Sequence, residues 1–122
     1  MELPDNRTFC VAPWFQIRNE NDGSKRVCCA INSTYPESVK QGPIEFLNSE
    51  PNIKLKKDLH QGTKAKSCIK CWIAEDNGRI SLRQKLNGVL TKNSSTVNKT
   101  WIDSYFKHKN NFRSEDILMA DV

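Results

Sequence analysis

Cysteine is the residue whose number and spacing in this chain point to chemistry. Five cysteines occur among 122 residues, and four of them fall into two spaced pairs. Cys68 and Cys71 form a C-x(2)-C motif, in which one turn of backbone brings both sulfurs to the same metal centre. Cys10 and Cys28 stand on either side of Gly23 in a C-x(12)-G-x(4)-C pattern. Together the two pairs predict a single metal centre with four thiolate ligands.

A β-hairpin is predicted to bring Cys10 and Cys28 together. Residues 14–18 alternate between apolar and polar side chains, which favours a strand, and residues 25–30 favour the returning strand. The Asp-Gly dipeptide at 22–23 is a strong turn signal between them. Strands of this length place the two cysteines near each other at the open end of the hairpin.

The second pair is predicted to lie in a tight loop that opens a helix. An apolar pattern suited to a helix begins at Cys71, is interrupted near Gly78 and ends at Gly88. Backbone N–H groups at the start of a helix can donate to sulfur, and the positive end of the helix dipole favours an anionic centre. The motif and its helix therefore suit thiolate ligands.

The fifth cysteine, Cys29, is not predicted to be a ligand. Successive side chains of a strand point to opposite faces, so Cys28 and Cys29 cannot both bind one metal without distortion. The spacing to the turn at Gly23 selects Cys28. Cys29 is therefore predicted to be a small buried residue.

Short elements are predicted to surround the centre. Pro43 begins a short helix, and a longer helix runs between a cap at Ser49 and a stop at Gly62. Residues 32–42 are polar and predict a loop. The predicted fold class is α+β: a small metal-stapled domain with a two-stranded antiparallel hairpin followed by short helices.

The residue types leave the identity of the metal open. All-thiolate coordination suits zinc and iron–sulfur clusters alike. Common zinc ribbons pair two C-x(2)-C knuckles, whereas seventeen residues separate Cys10 from Cys28. This spacing argues against a ribbon but not against zinc itself.

The composition excludes several classes of protein. Apolar residues are 37% of the chain and mean hydropathy is −0.67, so the core is thin and a stabilising metal or disulfide is expected. No run approaches the roughly 18 apolar residues of a membrane-spanning helix, and the first residues do not resemble a signal peptide. We therefore expect a cytosolic protein without membrane partners, whose clustered cysteines hold a metal rather than form disulfides.

The net charge of +5 is concentrated in the middle of the chain, where residues 54–85 hold nine basic and three acidic residues. A solvated helix surface is the ordinary explanation of such a run. One alternative is a zinc-stapled module that uses a basic face to bind nucleic acid or an acidic protein. Nucleic acid is the less favoured partner, because three scattered tryptophans do not form a base-stacking platform. A third explanation is that the cations offset an anionic thiolate centre.

No other side chains suggest catalysis. His60 is predicted to end a helix, where an imidazolium would complement the dipole, and His108 lies in a polar segment without a nucleophile partner. Arg79 and Arg83 are spaced i, i+4 and are predicted to share one helix face. No catalytic residue is therefore predicted in this chain.

The cysteine pattern and its surroundings resemble the SPASM and twitch auxiliary-cluster domains of radical SAM proteins. The C-x(12)-G-x(4)-C segment falls within the pattern that opens such domains, and the rest is similar to the twitch type that precedes the radical SAM barrel. The matching stretches are Phe9–Trp14, Asp22–Ser24, Cys28–Cys29, Ile44–Ser49, Cys68–Trp72, Glu75, Gly78 and Ser81–Gln84. The resemblance covers residues 9–87.

A [4Fe–4S] cluster is what this resemblance implies as the cofactor. Its implied ligands are Cys10, Cys28, Cys68 and Cys71. The resemblance assigns residues 9–88 to the cluster-binding domain, residues 89–116 to a linker with a short helix, and residues 117–122 to the first strand of a radical SAM barrel. Implied partners are the radical SAM core domain or its peptide or protein substrate.

The chain departs from radical SAM catalysis at one point. Cleavage of S-adenosylmethionine needs a C-x(3)-C-x(2)-C triplet, whose three thiolates leave one iron open for the cofactor, and the 122 residues contain no such triplet. Any use of S-adenosylmethionine would therefore come only through a core domain that this chain lacks. We expect the chain to be the auxiliary domain of a larger enzyme, cut before its catalytic core.

Overall fold

The computed structural model describes residues 7–28, 31, 35–92, 103–115 and 119–121. Its α-helices are α1 (Ala12–Phe15), α2 (Pro43–Leu47), α3 (Glu50–His60), α4 (Ile69–Asp76) and α5 (Leu82–Lys92). Its strands are β1 (Gln16–Asn19), β2 (Lys25–Arg26) and β3 (Met119–Asp121). Short 3-10 helices cover Pro36–Lys40 and Lys66–Cys68, and residues 103–108 are helical. The predicted small α+β fold is confirmed.

The predicted hairpin is present, but it is shorter than expected. β1 and β2 pair antiparallel, with Arg18 opposite Arg26, and Gly23 turns the chain at a φ of +89°. The prediction of strand at Trp14 was wrong, because the segment before β1 is the helix α1. Pro13 explains the difference: its fixed φ and missing N–H suit the first turn of a helix.

The sheet has a third strand that the hairpin pattern did not predict. β3 pairs in parallel with β1, with Ile17 opposite Ala120, so the strand order is β2-β1-β3. Strand structure within residues 117–122 was expected, and it is observed over Met119–Asp121. Its predicted place as the first strand of a barrel stays a prediction.

Gly62 ends a helix as predicted, Gly78 ends a helix where an interruption was predicted, and Gly88 does not end one. Gly62 and Gly78 follow α3 and α4 with φ of +92° and +74°, the left-handed conformation that favours glycine at this position. Gly88 instead lies inside α5, which continues to Lys92. An interior glycine costs a helix only about 1 kcal/mol, which the flanking helical residues can offset.

The polar segment at 32–42 also differs from prediction, since Pro36–Lys40 form a 3-10 helix.

The core has two parts that meet at residues 9–11. One is built around the cysteines and includes Ile17, Leu47, Leu59 and Trp72. The other is mainly aromatic and consists of Phe9, Val11, Trp14, Phe15 and Tyr105.

Within the described part of the chain, no helix has the length and apolar character needed to cross a membrane.

A buried lysine fixes the later part of the chain to the core. Lys56 of α3 is 0% exposed. Its ammonium donates to the carbonyl oxygens of Leu47 and Phe112, at 2.9 and 3.0 Å, and to the Ser114 hydroxyl at 2.8 Å. It also lies 5.3 Å from the centre of the Trp14 ring, within cation–π range. When protonated, the amine is therefore surrounded by acceptors on two segments and by the Trp14 ring.

Replacing Lys56 with Met should change how stability depends on pH. Burial, with a smaller effect from Arg113, lowers the pKa of Lys56 from 10.5 to about 7. Between these values the unfolded chain binds a proton that the folded chain does not, so the free energy of unfolding rises with pH. Relative to Lys56→Met, the thermal midpoint of the wild type should therefore rise between pH 7 and about 8.5.

Circular dichroism melting curves at both pH values would measure this difference, with the exposed Lys57→Met as the control. Parallel pH profiles for the wild type and Lys56→Met would contradict the expectation.

Candidate metal centre

All four predicted cysteines line a single cavity. Cys10 and Cys71 are buried, and Cys28 and Cys68 are partly buried. All four residues line the same cavity. The other lining residues are Ala12, Pro13, Val27, Ile31, Leu55, Leu59, Trp72 and Arg83. Arg83 is the one charged residue among these described lining residues. The fold thus brings to one place two cysteine pairs that are separated by 39 residues of sequence.

The first pair is positioned by the hairpin and its flanks. Cys10 lies just before α1, and Cys28 lies just after β2. The Cys28 carbonyl accepts a hydrogen bond from the Ile31 amide at 3.3 Å. Cys29 lies outside the described residues, so its expected role as a non-ligand stays a prediction.

The second pair lies at the start of α4, as predicted. Cys68 is the N-cap residue and Cys71 stands in the first turn. The Cys68 amide and the Trp72 indole both donate to the Ala65 carbonyl, at 3.1 and 2.7 Å. These two bonds fold the loop against the helix that follows it, and so they fix the spacing of the motif.

Burial makes the free thiols hard to ionise. It raises the pKa of Cys10 well above its ordinary value, against the opposing effect of a backbone hydrogen bond at Ala12. The three other cysteines raise it further, because thiolates that face one cavity repel each other. Burial likewise raises the pKa of Cys68 to about 11, although a hydrogen bond with Ser67 opposes the shift. Metal binding must therefore displace protons from this site, and higher pH should favour it.

The donor set fits a centre held by four thiolates. Four sulfurs around an otherwise apolar cavity match the ligands of a structural zinc ion or of a [4Fe–4S] cluster. In the described ranges, no three Cys, His, Asp or Glu side chains are grouped tightly enough to hold a single metal ion. The sharing of one cavity is thus the observation that supports a common centre.

Arg83 has a role that the sequence did not reveal. It is 7% exposed, and its guanidinium forms an ion pair of 2.6 Å with Glu75. Burial opposes ionisation of Glu75, but hydrogen bonds from Arg83 and Ser81 outweigh it and hold the carboxyl pKa below its ordinary value. The prediction that Arg79 and Arg83 share a helix face was wrong, because Arg79 lies in the loop between α4 and α5.

The two histidines do not line the cavity. His60 packs against Phe112 and Tyr105, with ring centroids 5.6 and 6.4 Å away. Burial, with a smaller effect from Lys109, lowers the pKa of His60, which weakens the expected pairing of an imidazolium with the helix dipole. His108 lies with Nε2 2.9 Å from a Glu115 carboxylate oxygen.

The basic run at residues 54–85 is not one continuous surface. Lys56 and Arg83 are buried, and Lys54 forms an ion pair of 2.8 Å with Asp58. The side chain of Lys64 lies 5.9 Å from the centre of the Trp72 ring. Burial removes two of the nine cations from a common solvent-facing patch, and Asp58 offsets the charge of a third, Lys54, whose side chain stays exposed. The explanation of a phosphate-binding face is weakened to that extent.

Comparison of the chain with protein-family models, with curated proteins and with solved structures returned no match.

Replacing any one of the four cysteines with Ser should remove most of the bound metal. Each supplies one of the four sulfurs on the cavity wall, and a three-sulfur site holds the same centre far less tightly. Metal and sulfide per chain, measured after anaerobic reconstitution, test this expectation.

Cys29→Ser is the matched control, because it removes a neighbouring thiol that is not predicted to bind. Metal retained by Cys28→Ser and lost by Cys29→Ser would show that the wrong member of the adjacent pair was assigned.

Proposed function

We propose that this chain is an auxiliary [4Fe–4S] cluster-binding domain of a radical SAM enzyme, and that it works in the cytosol. The observation that carries the proposal is the shared cavity, which brings together the four cysteines that the resemblance names as cluster ligands. The order of the elements also supports it: a glycine-turned hairpin follows the first cysteine, and a helix starts at the C-x(2)-C motif.

When bound, the cluster would supply one-electron redox chemistry at a site held by four thiolates. The chain's own residues bind and shield it. Cys10 and Cys71 are buried, and Leu55, Leu59 and Trp72 form apolar walls beside the sulfurs. Arg83 also lines the cavity, and its guanidinium is held there by the Glu75 carboxylate.

Three roles are compatible with such a domain: electron transfer, docking of the substrate or of the core domain, and structural support. All three follow from a site that is closed to substrate. With four protein ligands, no iron has an open position for direct chemistry, so the domain would act on its enzyme's reaction without catalysing it.

Anaerobic reconstitution with iron and sulfide is the experiment that tests the proposal. We expect a brown protein with broad visible absorption and with iron and sulfide in equal amounts. A colourless protein that takes up zinc and excludes iron and sulfide would overturn the proposal, and would favour a zinc-stapled binding module instead.

The chain alone should not cleave S-adenosylmethionine. Cleavage requires an iron with an open coordination position, and a site closed by Cys10, Cys28, Cys68 and Cys71 cannot chelate the amino and carboxylate groups of that cofactor. Reconstituted and reduced protein should therefore form no 5′-deoxyadenosine above a cluster-free control. Its formation would mean that one of the four cysteines is not a ligand.

A further inference from the structure

We propose that Asn87 and Arg83 are positioning residues that hold Cys10 in place as a ligand. The inference rests on the proposed function, since it takes Cys10 to be bound to the cluster. Phe9 and Val11 flank Cys10, and their backbone groups form hydrogen bonds with side chains that lie more than seventy positions away in the sequence.

Asn87 uses both ends of its amide to bracket Cys10. Its Nδ2 donates to the Phe9 carbonyl at 2.8 Å, and its Oδ1 accepts a hydrogen bond from the Val11 amide at 3.0 Å. Cys10 lies between these two contacts, so the side chain holds the backbone on both sides of the thiol. An asparagine placed in this way imitates the pairing that a neighbouring strand would provide.

Arg83 adds a third bond to the same segment. Its Nη1 donates to the Phe9 carbonyl at 2.9 Å, so this oxygen accepts from both side chains. Residues four apart on a helix share a face, which explains why Arg83 and Asn87 of α5 reach one target.

The same arginine links Cys10 to the second cysteine pair. Its Nε and Nη2 donate to the two carboxylate oxygens of Glu75, at 2.9 and 2.6 Å, and this bidentate pair has a fixed geometry. Glu75 belongs to α4, the helix whose first turn carries Cys71. A continuous polar connection therefore runs from the backbone at Cys10 to the helix of the C-x(2)-C motif, and it sets the distance between the two halves of the site.

Removing the hydrogen bonds from Asn87 or Arg83 should make Cys10 the first ligand to dissociate from the cluster. We would load the whole chain with a [4Fe–4S] cluster and treat it with ferricyanide. One electron passes to ferricyanide, which becomes ferrocyanide, while [4Fe–4S]²⁺ becomes [3Fe–4S]⁺ and releases one Fe²⁺. After removal of the oxidant, iodoacetamide alkylates the freed sulfur with loss of iodide, and mass spectrometry identifies the cysteine.

In Asn87→Ala the Phe9 carbonyl keeps its bond from Arg83, so the net loss is the bond to the Val11 amide. We therefore expect [3Fe–4S]⁺ to appear about tenfold faster by electron paramagnetic resonance, the factor that corresponds to one net hydrogen bond of ordinary strength. The label should concentrate on Cys10. Arg83→Lys should accelerate the reaction less, because lysine keeps one donor for the Phe9 carbonyl. Lys85→Ala, an exposed change on the same helix, is the control and should behave as the wild type.

Two results would overturn the inference: an unchanged rate in both variants, or faster iron loss with the label spread evenly over all four cysteines. If Asn87→Ala does not fold, Asn87→Asp replaces it in the test, because aspartate keeps the acceptor for the Val11 amide. A wild type that takes up no iron and sulfide would instead overturn the proposed function, so the two failures are distinguishable.

Discussion

The burial of four thiols in one apolar cavity is the constraint on which the rest of this structure depends. Sulfur in such a place is neutral on its own, and it becomes anionic only if positive charge accompanies it. The surrounding elements meet this constraint by placing the cysteines on separate segments that a metal centre could join.

A few long-range polar contacts, rather than a large apolar core, hold those segments together. Asn87 and Arg83 bind the segment around Cys10, while Lys56 and Asn48 bind the segment around Ser114. Apart from the bond between Lys56 and the Ser114 hydroxyl, these contacts satisfy backbone groups, which are costly to bury without partners. The thin core expected from composition is therefore supplemented by side chains that bind the main chain.

Local signals in the sequence were sufficient to predict the hairpin turn, the helix that begins at Pro43, the helix end at Gly62 and the interruption near Gly78, because glycine and proline act through their own backbone geometry. They failed at Gly88, where neighbouring residues decide the helix. Spacing also predicted that the four cysteines lie together, and all four line one cavity, while their binding of one metal centre stays a prediction. The sequence did not predict the burial of Arg83 and Lys56 or the role of Asn87. The local sequence around a buried cation or amide looks the same as that around an exposed one, because its partner is distant in the chain.

The parallel pairing of β3 with β1 has a consequence for the order in which the chain folds. Joining Ile17 to Ala120 closes a loop of about one hundred residues, whereas the hairpin closes over fewer than ten. Loop-closure entropy delays such distant contacts until nearer ones have formed. All four cysteines of the cavity precede residue 72. During synthesis, the cavity can therefore assemble on a two-stranded sheet, and the third strand joins only after most of the chain has emerged.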